Sequence, residues 1–323
     1  MSKRFFTALI AVTALLVAAC GKDDKPGSNS SDGPATKTDL VGSWGWNETA
    51  EYEFKADGTY TQNQWGESVS GNWELNDGKL SLTPKGGEAW SVNTILTGGK
   101  AWLVFVHENE GHKSYENFRK LGATVDSGTL TDGRWDATHA GVAPPAYTKD
   151  VSYTVCMVVK GKTIDLYVPM WGYHIQGTFT LSDGRMHIET DDDHIWFGAY
   201  MERDGDYGSI GWNAWDAPSD DEELKKQWGW DDSYGSMDPE TFELQYPYRY
   251  YSVNELKGMG KKPDPNDDEY KAYPFYFKFM IYEWAENVHD NASDLLDFDL
   301  CVASNGKEAY GGAVGLCPWF YKR

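Results

Sequence analysis

What this chain lacks narrows its chemistry before anything it contains. Basic residues are scarce, 29 Lys and Arg against 50 Asp and Glu, for a formal net charge of −21. A surface of that sign repels phosphate backbones, which argues against nucleic acid as a partner. It also repels anionic lipid, so charge alone would not draw the chain onto a membrane. The sequence has no Gly-x-Ser-x-Gly elbow, no His-Glu-x-x-His helix and no glycine-rich phosphate loop. Its seven His are scattered without metal-ligand spacing. No catalytic residue, metal site or cofactor is therefore expected. An enzyme is the less favoured reading; were there one, glycoside hydrolysis would fit best, yet the carboxylates are too many to single out a pair. Asp191-Asp192-Asp193-His194 could offer oxygens to calcium, but the spacing fits no known loop and a solvated turn is the plainer meaning.

No apolar run reaches the roughly 20 residues of a membrane-crossing helix. The run from Phe5 to Ala19, behind Lys3-Arg4, is instead a processing signal. It ends Val17-Ala18-Ala19-Cys20, which resembles the bacterial lipobox at all four positions. The resemblance implies cleavage after Ala19, acylation of Cys20 and a lipid-anchored protein of the outer membrane. An ordinary secretory peptide with a chance cysteine is the alternative. Residues 20–38 have the composition of a flexible tether, with Pro26, Gly27, Ser28, Gly33 and Pro34 and too little apolar surface to fold. Lys22-Asp23-Asp24 resembles an export signal that places lipoproteins on the outer face of the outer membrane; a charged linker reads the same way. Loss of Lys3 and Arg4 takes the mature charge to about −23, which is −21 less 2.

Cysteine is rare as well, and only Cys156, Cys301 and Cys317 follow the anchor. In an oxidising compartment three cysteines allow three single bridges. Cys301 and Cys317 flank the turn-like Asn305-Gly306 and Gly311-Gly312, so that pair is favoured. Cys156, in Val155-Cys156-Met157-Val158-Val159, reads as a buried thiol on a strand.

Aromatic residues, in contrast, are plentiful: 15 Trp and 20 Tyr, with 34 Gly. That balance suggests strands joined by tight turns. Gly71 to Leu82 matches Gly177 to Ile188, each an alternating hairpin turned by Asp-Gly. Gly42-Ser43-Trp44 pairs with Gly133-Arg134-Trp135, and Phe118-Arg119-Lys120 with Phe320-Tyr321-Lys322. Three matches in one order indicate a repeated plan. The expected fold is all-β, two up-and-down antiparallel barrels or barrel-like units at 39–122 and 123–323. The second carries a long aromatic and acidic insertion at about 203–270 with a short helix.

Leu40-Val41-Gly42-Ser43-Trp44, then Tyr52 to Tyr60 around Ala56-Asp57-Gly58, then Gly71-Asn72-Trp73, resemble the bacterial lipocalin-like domain. The match covers residues 40–121 and, in part, 133–201. It implies an eight-stranded barrel in exported lipoproteins and little about activity.

The insertion holds Trp212, Trp215, Trp228, Trp230 and Tyr234 among many carboxylates. Ser219-Asp220-Asp221-Glu222 reads as a capping box that starts the helix. Phe242 to Tyr251 alternates like a strand, with Pro247 at an edge or bulge, and Tyr273 to Tyr282 looks strand-like. Rings that stack on pyranose C–H faces, beside carboxylates that accept from hydroxyls, suggest an extracellular glycan bound on this aromatic face. A small satellite core is the plain alternative for any one of these rings. Two other readings stand: an apolar small molecule inside a barrel, or a structural or protein-interaction component of an outer-membrane assembly.

Overall fold

A computed structural model describes residues 35–46, 49–64, 66–109, 112–138, 154–168, 172–199, 241–244, 249–260, 262, 264–266, 277–312 and 319–323. The chain forms two closed eight-stranded antiparallel barrels; neighbouring strands follow chain order in the first, and in the second except for one step across residues 190–296.

The first barrel runs β1 (Gly42–Trp46), β2 (Thr49–Phe54), β3 (Thr59–Gln64), β4 (Glu67–Asn76), β5 (Lys79–Pro84), β6 (Trp90–Thr97), β7 (Trp102–Asn109) and β8 (His112–Lys120). β1 pairs with β8 to close it. Alternate residues point inward, the period that a half-buried strand requires. Trp44, Tyr52, Phe54, Tyr60, Trp73, Leu80, Leu82, Leu103, Phe105 and Phe118 thus form one lumen core. One end is sealed by α1 (Lys37–Leu40), which Thr36 and Asp39 start as a capping box. Leu40 seats in the core, and Trp44 Nε1 donates to its carbonyl at 2.8 Å.

The second barrel repeats the plan with β9 (Gly133–Thr138), β10 (Thr154–Lys160), β11 (Thr163–Val168), β12 (Tyr173–Ser182), β13 (Arg185–Glu189), β16 (Asp297–Val302), β17 (Glu308–Gly312) and β18 (Trp319–Lys322). β18 pairs with β9, so this unit closes too. The repeat extends to single atoms. Trp135 Nε1 donates to the carbonyl of Thr131, again four residues back, at 2.9 Å. Lys120 lies 5.2 Å over the Trp44 ring and Lys322 lies 5.9 Å over Trp135. Gly42 and Gly133 hold φ of 132° and 130°, and a Cβ on either would press on that lysine's Cε. Asp77-Gly78 and Asp183-Gly184 have positive φ at both positions, as the two hairpin turns demand.

The difference between the units begins at β12. Its one edge pairs with β13 over Thr178–Ser182 and with β14 (Ile195–Ala199) over Tyr173–Ile175. β13 goes on to pair with β16 inside the barrel. β14 pairs with β15 (Arg249–Ser252), which peels off the wall. Between β14 and β16 also lie α2 (Val253–Met259), α3 (Phe277–Glu286), α4 (Val288–Asn291) and α5 (Ser293–Leu296). Ser252 and Glu255 cap α2 reciprocally. Val253, Leu256, Ala285, Val288, Ala292 and Leu295 share one core with the lumen residues Met157, Ile164, Met186 and Leu300. The helices therefore cover this barrel's end.

Phe277–Glu286 is a helix where the aromatic spacing suggested a strand. Its Ala285 is buried and its Trp284 ring packs on Phe197 and Tyr173, with centroids 4.9 and 6.1 Å away. Docking of that face outweighs the strand preference of Tyr and Phe. The Ser219 capping box lies outside the described residues. No described helix is long and apolar enough to cross a membrane.

The barrels meet wall to wall. Trp102, Val104, Val106 and Tyr115, on the outer face of β7 and β8, cluster with Cys301, Tyr310 and Trp319. Tyr115 Oη and Asn117 Nδ2 both donate to the Gly311 carbonyl, at 3.1 and 2.9 Å. Arg119 reaches Asp183 at 3.1 Å and Asp299 at 3.9 Å, while Arg185 holds Asp299 at 3.0 Å. The linker is pinned between them. Val302 N donates to the Ser127 carbonyl, and Gly184 N to Ser127 Oγ.

Candidate functional site

The end of the first barrel opposite α1 is its mouth. Four connections rim it, residues 47–48, 65–66, 85–89 and 110–111, each two to five residues long. At the matching end of the second barrel the connections are 139–153, 169–172, 190–296 and 313–318. The second mouth carries helices. The first has only short connections, and every member of its core comes from residues 35–118.

The inward positions change character towards this mouth. Tyr52, Phe105 and Phe118 make a floor of rings whose centroids lie 5.0–5.4 Å apart, edge to face. Beneath them Phe54 and Trp73 fill the lumen, 5.2 Å apart. Above the floor the inward residues are polar. Glu116 precedes Phe118 by two on β8, so it shares Phe118's face, and His107 stands two beyond Phe105 on β7. His107 Nε2 lies 3.7 Å from Glu116 Oε2 and is buried without a hydrogen bond. Gln62 Nε2 donates to Tyr52 Oη at 2.9 Å.

Glu51 reaches the same region through a bulge. Trp44 pairs with Tyr52 and Gly45 with Ala50, so Glu51 is the extra residue between them. Burial raises the pKa of its carboxyl, and the nearby Glu116 charge raises it further. Tyr52 is held well above the usual phenol range by burial, then by Glu116, Glu51 and Tyr60. Those influences gather the groups into one neighbourhood. Tyr60 is 1% exposed, and its hydroxyl has no hydrogen-bond partner. A buried polar atom left unpaired costs about 1–3 kcal/mol, so its retention needs a reason.

The outer wall of the second barrel shows a different use of aromatics. Phe242, Tyr167, His174 and Trp196 stack in a row across it, with centroids 4.7, 4.1 and 4.6 Å apart. Arg134 sits 4.9 Å over the Phe242 ring at one end. These rings press their faces on one another, and Phe242 is buried, so they make no flat platform for a sugar. Phe242 also covers Cys156. Every described Trp side chain is buried or half-buried.

The residues nominated from sequence are placed unevenly. Cys20, Trp212, Trp215, Trp228, Trp230, Tyr234 and Cys317 lie outside the described residues. Cys301 is buried at the contact between the barrels, and its expected bond to Cys317 falls with Cys317 outside them. Cys156 is buried, and burial followed by the neighbouring Asp136 charge pushes its thiol far above the usual range. Asp192 holds Lys257 Nζ at 2.7 Å and His289 Nε2 at 2.9 Å, and Asp193 accepts from Asn254. This turn latches α2 and α4, and among the described residues no cluster of three or more His, Cys, Asp or Glu is set to hold a metal.

Sequence reasoning passed over Glu51, Tyr60, His107 and Glu116. For Glu116 a signal existed: a carboxylate at core parity in Tyr115-Glu116-Asn117-Phe118. Comparison with protein families, with characterised proteins and with solved structures returns no match.

Proposed function

We propose that the protein is an outer-membrane lipoprotein, tethered through acylated Cys20 and facing the cell exterior, that binds a small extracellular ligand in the mouth of its first barrel. The lipobox-like Val17-Ala18-Ala19-Cys20 and the polar spacer after it support the tether, because several acyl chains anchor stably where one does not. The likeness of residues 40–121 to the lipocalin-like family agrees with an exported barrel.

The observation that carries the binding role is the Tyr60 hydroxyl, buried and unpartnered near Tyr52, whose ring floors the one mouth that only short connections rim. Rings in mutual contact fill the lumen below, so the ligand sits at the mouth above Tyr52, Phe105 and Phe118. Eight-stranded barrels have room for one small ligand at such a place.

The soluble chain with Cys20→Ser tests this. A library of small metabolites is screened by ligand-observed NMR, and hits are repeated on Gln62→Trp, which fills the mouth. Hits lost in that variant support the reading; an empty screen, or hits that persist, removes it. The same Cys20→Ser change should release the protein from membranes, and continued membrane association would defeat the tether.

Composition favours a second reading for the insertion. Trp212, Trp215, Trp228, Trp230 and Tyr234 bring five rings into a carboxylate-rich stretch, a chemistry suited to glycans. Titration with a glycan panel, followed by Trp fluorescence, should give a response that Trp212→Ala and Trp228→Ala weaken. Unchanged binding in both variants would end that reading.

A further inference from the structure

Carboxylates in this protein are matched wherever the described structure buries them outside the mouth. Asp136 holds Arg134 and Arg323. Asp299 holds Arg185, and Asp192 holds Lys257. Asp39, whose side chain is 16% exposed, meets Lys100 at 3.1 Å. At the first mouth the pattern stops. Among the described residues half-buried Glu51 pairs with no Lys or Arg, and Glu116, whose side chain is 55% exposed at the rim, meets only His107, outside hydrogen-bond distance.

We infer that the mouth takes a compact organic monocation, a protonated amine carried on a small apolar body, which supplies a positive charge that no described Lys or Arg supplies there. The inference rests on the mouth being the binding site. An ammonium has three N–H donors and no acceptor. Glu51, Glu116 and the hydroxyl oxygens of Tyr60 and Tyr52 are acceptors that could share those donors. The rings of Tyr52, Phe105 and Phe118 suit the apolar body, and an aromatic floor attracts a cation as well. An anion would meet two carboxylates at this rim.

The arrangement carries a proton dependence. The charged and titratable groups beside Glu51 are Glu116 from β8 and Tyr52 from β2; around those two stand His107 from β7 against Glu116, and Tyr60 from β3 and neutral Gln62 against Tyr52. Burial and Glu116 favour the protonated form of Glu51. A bound ammonium favours the charged form, so protons and ligand compete. Affinity therefore falls as pH drops through the raised pKa of Glu51.

Calorimetric titration of the soluble Cys20→Ser chain with 2-phenylethylammonium, neutral 2-phenylethanol and phenylacetate tests the charge. The ammonium should bind at least about tenfold more tightly than the alcohol, and phenylacetate most weakly. Glu116→Gln and Glu51→Gln, which keep shape, should each weaken the ammonium by about tenfold and leave the alcohol unchanged. Lowering the pH to about 4, within the carboxylate range, should weaken the ammonium alone. Equal binding of all three probes, a preference for phenylacetate, or no binding by any of them overturns the inference. A probe that binds as strongly to Gln62→Trp sits elsewhere and removes the mouth reading as well.

Discussion

Asp136 is the most heavily committed carboxylate in the described structure. It has no solvent exposure, accepts from Arg134 Nε at 2.7 and 2.9 Å, and accepts from Arg323 Nε at 2.7 Å. Arg323 is the last residue, and its N–H also donates to the Arg134 carbonyl. The cluster thus clasps the residue that follows β18 to β9, where β18 closes the second barrel. Asp136→Asn keeps the shape and removes the charge. Breaking a buried ion pair costs about 3–5 kcal/mol when the orphaned partner stays buried. Here the side chains of Arg134 and Arg323 keep 19% and 39% of their exposure, so both can turn to water. The loss then reduces to the charge-assisted hydrogen bonds, about 2–3 kcal/mol in sum. Urea denaturation of the soluble chain reads this as a lower midpoint at unchanged slope. Arg323→Ala should cost about 1 kcal/mol, since that side chain is more exposed. The double variant should cost less than the sum, because the two changes remove one shared interaction. If Asp136→Asn lay within about 0.5 kcal/mol of the parent, the clasp would contribute nothing measurable and the argument would fail.

Cys156, under Phe242 and beside Asp136, should resist maleimide in the folded protein and react on unfolding, as peptide mass mapping would show; labelling of the native chain would contradict its burial. Trp44→Phe and Trp135→Phe remove equivalent indole bonds, so each should cost about 2 kcal/mol, within about 1 kcal/mol of the other by denaturant titration. Glu51→Gln should raise the melting temperature at neutral pH. The folded carboxyl has a raised pKa, so the native state binds protons more tightly there, and Glu51 lowers stability as pH rises through that pKa. The advantage of Gln should vanish as pH falls to the ordinary carboxylate range, and a gap independent of pH would refute the cause.

The strand plan was legible where local chemistry and global fold agree. Asp77-Gly78 and Asp183-Gly184 announced two hairpins, because positive φ at both turn positions leaves few residue choices. Closure of the second barrel was less visible. Its fifth and sixth strands are separated by residues 190–296, and β13 and β14 share the edge of β12 in two lengths. Periodicity within a window cannot see pairing across such a gap. Phe277–Glu286 misled through composition, since aromatic residues that dock a helix resemble those that build a strand. The mouth was hidden for a third reason. Glu51 sits on a bulge, which breaks the alternation that assigns a strand residue to one face. His107 and Glu116 stood at inward parity all along, but an isolated charge on a strand has no motif to mark it.

The two barrels share sealed ends that correspond almost atom for atom, from the indole bond to the lysine above it. Their open ends do not correspond. In the second, apolar residues of α2, α3, α4 and α5 continue the lumen core, and that end is used for packing. In the first, the inward positions above Tyr52 and Phe105 hold Gln62, His107 and Glu116, none of which adds apolar burial. A barrel stabilised for its own sake would place Leu or Val there, since each buried side chain of that kind is worth about 1.5–3 kcal/mol. The first barrel instead retains an unpaired hydroxyl near Tyr52 and, at its mouth, a carboxyl that burial penalises. Sites kept at a cost to stability are where function is found in other folds, and in this one they lie on the unit that the insertion leaves alone.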